Sequence, residues 1–173
     1  MKNILIVVDM QRDFVDGALG TKEARAIVAG VADKINGFDG DIIVTYDTHA
    51  DNYMHTSEGK NLPVPHCIKG TEGWALDSLV QSAVDKKKVT VFEKPTFGSV
   101  ELAEYVKKNY GNDVSIELVG LCTDICVVSN ALLLKATLPE AKISVDSSLC
   151  AGVTPESHNA ALTTMKMCQI NVK

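Results

Sequence analysis

No apolar stretch in this 173-residue sequence approaches the roughly 20 residues of a membrane span. The opening Met1-Lys2-Asn3 with the run Ile4 to Val8 has the outline of a secretory leader, but Asp9, Arg12, Asp13 and Asp16 interrupt it at once. No membrane partner is therefore expected. The chain also lacks a basic excess: 17 Lys and Arg stand against 22 Asp and Glu, a formal charge of −5. Nucleic-acid binding favours a clustered basic surface, so no nucleic-acid partner is expected either. The one basic run, Lys86 to Lys88, is short and reads as the solvated end of a helix. Paired cysteines are missing too. The five thiols (67, 122, 126, 150 and 168) are an odd number without CxxC or zinc-knuckle spacing. That usage fits a reducing cytoplasm, where most thiols are buried and inert.

What is present is the composition of a globular domain, 46% hydrophobic and 23% charged. The length suits one domain over residues 1–173. Continuous apolar runs alternate with helical periodicity. Ile4–Val8 reads as a strand buried on both faces. Residues 22–35 repeat apolar positions at helical spacing, and Ile42–Tyr46 is the next strand, closing on Asp47. Helices are expected over Ala75–Val84, Val100–Asn109, Asp124–Ala136 and Pro155–Met167. Strands are expected at Val89–Phe92, Val114–Val119, Lys142–Val145 and Ile170–Val172. This alternation predicts an α/β, Rossmann-like three-layer domain: a mostly parallel six-stranded sheet with helices on both faces. Only residues 48–73 lack periodicity, and a loop of that length is usually functional.

Ligands of such sheets bind beyond the carboxyl ends of the strands. The residues there are Asp9, Asp47, Glu93-Lys94 and Gly120 to Cys126. Cys126 falls where a strand turns into a helix. A helix N-terminus favours thiolate and offers N–H groups to an oxyanion. The alternative is that Cys122 and Cys126 are small buried hydrophobes. Asp9 can take the thiol proton and return it to a departing amine, with Lys94 as the stabilising cation. As alternatives, Asp9 caps a turn and Lys94 lies on the surface. Three of the four histidines share the long loop with Asp47. The set Asp47, His49, His55 and His66 suits one divalent ion, zinc first, with iron and manganese also accommodated; the alternative is a solvated loop. His158, in the last helix, is read as a packing or surface residue.

Together these segments resemble the isochorismatase-like cysteine hydrolases, and within them the nicotinamidase/pyrazinamidase branch. The likeness runs nearly end to end. Val8-Asp9-Met10-Gln11-Arg12-Asp13-Phe14 matches the family's V-D-x-Q-x-D-F opening. His66 to Gly73 matches H-C-x-x-G-T-x-G, and Gly120 to Cys126 matches the nucleophile motif. The resemblance implies a triad of Asp9, Lys94 and Cys126. It also implies metal ligation by Asp47, His49, His55 and His66, and a cis peptide between Leu121 and Cys122. The N–H groups of Cys122 and Cys126 would form the oxyanion hole. The implied reaction is metal-dependent hydrolysis of a small aromatic carboxamide, nicotinamide first, through a thioester. The remaining readings are a related amidase acting on another amide or N-carbamoyl compound, and a silent family member that binds a metal or a partner. A homo-oligomer is expected. In one respect the chain departs from the branch: Pro63 stands where a pocket Trp is usual, and the only Trp is Trp74. Phe14, Phe97 and Leu121 are the expected pocket residues.

Overall fold

The computed structural model describes residues 1–173. Six strands form one sheet, β1 (Lys2–Val8), β2 (Asp41–Asp47), β3 (Val89–Lys94), β4 (Val114–Leu121), β5 (Lys142–Ala151) and β6 (Asn171–Val172). Their order is β3-β2-β1-β4-β5-β6, and all five pairings are parallel. Between them lie α1 (Arg12–Val15), α2 (Lys22–Gly37), α3 (Ser57–Asn61), α4 (Ser78–Val84), α5 (Val100–Tyr110), α6 (Val128–Thr137) and α7 (Pro155–Met167). None of these helices is long and apolar enough to cross a membrane.

Alternation along β1 splits the core in two. Ile4, Ile6 and Val8 pack with Leu102 and Val106 of α5, Ala131 and Leu134 of α6, and Met165 of α7. Leu5 and Val7 face the other way, onto Ile27, Val31 and Ile35 of α2 and Val80 and Ala83 of α4. A strand covered on both sides has no polar face to show, which is why β1 reads as an unbroken apolar run.

Several boundaries differ from the sequence reading. The fourth helix starts at Ser78, because Asp77 accepts from the Leu79 N–H and fixes the start there. Lys86 to Lys88 accordingly occupy the turn between α4 and β3. β5 runs six residues further, to Ala151. Its polar middle, Asp146 to Ser148, hides this from the sequence. The register shifts by a bulge opposite Leu118 to Gly120, and pairing resumes at Gly120–Cys150.

One buried charge lies in the middle of a strand. Glu117 of β4 is 9% exposed. It meets the ammonium of Lys34 from α2 and, at 2.8 Å, that of Lys173. Burial alone would raise its pKa, but the hydrogen bonds from Lys173 and Lys34 hold it below the ordinary carboxylate value. A depressed folded-state pKa gives stability that is complete above the unfolded value of about 4.3 and is lost as pH falls through the folded one. Glu117→Gln should cost about 1–2 kcal/mol at neutral pH, or roughly 2–8 °C in Tm. Thermal melts should show that deficit shrinking as pH drops below about 4.

Candidate active site

The strand order reverses direction of winding between β1 and β4, and a crevice opens there at their carboxyl ends. Asp9 follows β1 with φ of 45° and is fully buried. Thr45 of β2 donates to its Oδ1 at 2.6 Å. Lys94, the last residue of β3, is equally buried and places Nζ 2.5 Å from Asp9 Oδ2. The same ammonium donates to Cys126 Sγ at 3.3 Å and to the Thr96 carbonyl at 3.2 Å. Three residues distant in sequence thus meet around one nitrogen atom.

Two arms of chain bring the thiol there. Gly120 has a φ of 117°, and a methyl group at this position would overlap the Val8 carbonyl oxygen, so only glycine lets β4 lie this close to the end of β1. The Leu121–Cys122 peptide is cis, and Thr123–Val127 makes one wide turn before α6 begins. The Cys122 carbonyl accepts from both Ile125 and Val127 N–H groups. Cys126 therefore lies inside this turn and not at the mouth of a regular helix, contrary to the sequence expectation. Burial raises its thiol well above the ordinary value, Asp9 adds to that, and Lys94 opposes it. Its sulfur shares the Lys94 ammonium with the Asp9 carboxylate, a group able to accept a proton. Lys94, despite burial, is held charged chiefly by the Asp9 carboxylate.

Metal-ligating side chains gather on the adjoining wall. Ligand atoms of Asp47, His49, Glu58 and His66 all lie within 4.8 Å of one another. Asp47 Oδ2 is 3.0 Å from His49 Nε2 and 3.3 Å from His66 Nε2. Glu58 Oε1 is 3.6 Å and 3.5 Å from the same two nitrogens. Donors about 2.1 Å from one ion at tetrahedral angles stand roughly 3.4 Å apart, so this set fits a divalent cation. His66 Nδ1 is bonded to the Val64 carbonyl at 2.8 Å, which leaves Nε2 as the free ligand atom.

His55 does not join this group; it is exposed, and Glu58 takes the place expected for it. The cause is local. Tyr53–His55 is a single tight turn, and Thr56 then caps α3 by accepting from the Gly59 N–H at 3.0 Å. The chain reverses at that cap, which throws His55 outward and swings Glu58 in. A methyl at Gly59 would overlap the Tyr53 carbonyl oxygen, so the close seat of α3 needs glycine. The buried Tyr53 ring fills the space between His49 and His66, with centroids 4.8 and 5.0 Å away. The cap followed by an acid, Thr56-Ser57-Glu58, is the pattern in the sequence that places Glu58 in the first turn of α3.

Phe14, Phe97 and Leu121 line one cavity with Cys122, Cys126, Asp47 and His66. Trp74 stays outside it, stacked on Tyr46 at 5.0 Å with its indole N–H on Thr48. Three further residues hold the site. Gln11 accepts from the Asp47 N–H at 2.7 Å and donates to the Asp47 carbonyl at 2.8 Å, fixing that carboxylate's backbone. His158, half-buried, has Nδ1 2.8 Å from the Thr123 hydroxyl and so touches the turn that carries Cys126. Asn130 accepts from the Ser99 N–H and donates to the Phe97 and Cys126 carbonyls. Asn130→Ala should cost about 2–4 kcal/mol, from three lost bonds at a buried position, and should raise KM by loosening the Phe97 loop. Denaturation and steady-state kinetics on the same preparation check both.

The Isochorismatase domain family model matches residues 3–172. An uncharacterised isochorismatase family protein, PncA, of Bacillus subtilis is 30% identical over 174 residues, covering 94% of this chain and 93% of that protein. The nicotinamidase/pyrazinamidase of Mycobacterium tuberculosis is 28% identical, covering 97% and 96%. Among solved structures, a nicotinamidase/pyrazinamidase from B. subtilis superposes with a TM-score of 0.86 at 26% identity, covering 99% of each chain. The pyrazinamidase of Pyrococcus horikoshii in complex with zinc gives 0.80 at 26% identity, covering 100% of this chain and 99% of that one.

Proposed function

We infer that this chain, which belongs to the isochorismatase domain family, hydrolyses a small aromatic carboxamide, nicotinamide first, to the carboxylate and ammonia. The observation that carries this reading is the contact set around Lys94 Nζ: Asp9 at 2.5 Å and Cys126 Sγ at 3.3 Å, at the floor of a cavity walled by Phe14 and Phe97. The relatives named above as nicotinamidase/pyrazinamidase support the substrate class.

Asp9 accepts the Cys126 proton as sulfur attacks the amide carbon. The oxyanion takes hydrogen bonds from the Cys122 and Cys126 N–H groups. Lys94 keeps the Asp9 carboxylate and the forming thiolate in one electrostatic unit. Asp9 then returns the proton to nitrogen, the C–N bond breaks, ammonia leaves and a thioester remains. Water, losing a proton to Asp9, attacks the thioester; the C–S bond breaks and the thiol is restored. Asp47, His49, Glu58 and His66 would hold one divalent ion. When bound, that ion supplies Lewis acidity. Zinc leads because a relative's structure contains it, and two imidazoles with two carboxylates also suit iron and manganese.

Purified protein should release ammonia from nicotinamide, with about one equivalent of divalent metal in the same sample. Ammonia from N-carbamoyl compounds but not from nicotinamide would transfer the activity to the related-amidase reading. No ammonia from any amide with metal restored would make the chain a silent binder.

A further inference from the structure

The reactive corner of the cavity is small, but the cavity is not. It measures about 580 Å³, within the range of sites for drug-sized ligands. A closed cavity of ~150 Å³ already holds benzene. A single-ring carboxamide with its carbonyl at Cys126 therefore leaves much of the space unfilled. The surplus extends toward the mouth, where Leu62, Phe97 and Val153 line the cavity while being 37%, 41% and 52% exposed. Three large apolar side chains, partly exposed and lining one cavity, offer an apolar surface to a ligand. The rim is also held in place. Asp124 accepts the Val153 N–H at 3.1–3.2 Å, Asn130 donates to the Phe97 carbonyl at 3.1 Å, and Tyr53 donates to the Leu62 carbonyl at 2.8 Å.

Charge narrows the occupant further. No lysine or arginine lines the cavity. Lys94 lies fully buried beneath it, committed to Asp9. The charged groups on the wall are Asp47 and Glu58, which belong to the metal cluster. A substrate tail that runs toward Leu62, Phe97 and Val153, away from that cluster, and ends in a carboxylate would lose its hydration and meet no lysine or arginine.

We propose that the preferred substrate is an uncharged ring carboxamide carrying an apolar substituent of several carbons on its acyl part, laid against Leu62, Phe97 and Val153. This rests on the amidase reading above. The bonds made and broken are the same: sulfur adds to the carbonyl carbon, ammonia leaves with the proton from Asp9, and the substituent stays on the acyl group until water releases it.

The test is kcat/KM for ammonia release from nicotinamide and from nicotinamides alkylated, methyl to butyl, at each ring carbon remote from the carboxamide. In at least one series kcat/KM should rise with each methylene, by up to about fourfold where the group is fully buried. A carboxylate-ended analogue of equal length should do no better than nicotinamide. Leu62→Asn and Val153→Asn should flatten the rise. Turnover of nicotinamide with a flat or falling trend in every series overturns this inference and leaves the amidase reading standing. So does a flat trend accompanied by self-association that Leu62→Asp abolishes, which assigns the rim to a second copy of the chain. No ammonia from any amide, nicotinamide included, overturns both.

Discussion

Replacing Cys126 with alanine should lower amide turnover by about 10⁴-fold or more, with stability changed by no more than about 1 kcal/mol and metal content unchanged. The sulfur is one buried atom, and its loss leaves no unpaired charge, because Lys94 keeps its contacts with Asp9 and the Thr96 carbonyl. Lys94→Ala is the instructive contrast. It removes the cation from a fully buried carboxylate, a change of about 3–5 kcal/mol. Its loss of activity would therefore arrive with loss of fold. Steady-state ammonia release, thermal melts and metal analysis of the two variants separate a chemical role from a structural one. Wild-type turnover in Cys126→Ala would remove the thiol from the reaction.

The second large effect is expected at Glu58. Glu58→Ala should weaken binding of a divalent ion on the order of 100-fold or more, since even partners behind the ligands cost 10–100-fold. His55→Ala should leave affinity unchanged, because His55 is exposed and outside the cluster. Equilibrium dialysis with zinc, read by metal analysis, distinguishes the two. Loss of the metal in His55→Ala with retention in Glu58→Ala would reverse the assignment and restore the ligand set expected from the sequence. Chelation of the wild-type protein should abolish ammonia release, and adding zinc, iron or manganese back should restore it.

The contrast between these two residues shows where sequence reasoning reached and where it stopped. A strand buried on both faces leaves an apolar run, and a parallel sheet gathers polar residues at one edge. Asp9, Asp47, Lys94 and the Cys126 turn were therefore legible from position alone. The loop after β2 obeys no period. Whether His55 or Glu58 faces the ion depends on a single cap at Thr56 and a glycine under Tyr53, which composition does not register. The raised thiol pKa was hidden for a related reason. A helix N-terminus suggests thiolate, but Cys126 lies two residues before α6 inside a closed turn, where burial outweighs the dipole. Gln11, Asn130 and His158 act through bonds to backbone or to a hydroxyl, contacts that amide and imidazole groups make anywhere in a protein. No spacing betrays Asn130 or His158, whereas Gln11 is the Q of the V-D-x-Q-x-D-F opening.

The central proposal is that Cys126 carries the acyl group between loss of ammonia and attack by water. Acid quenching during steady-state turnover of nicotinamide, followed by peptide mass analysis, tests this directly. The account predicts a nicotinoyl thioester on the peptide containing Cys126, absent from Cys126→Ala and lost on brief incubation at neutral pH. Ammonia release at the normal rate from protein that never carries an acyl group, or carries it on another residue, would contradict it.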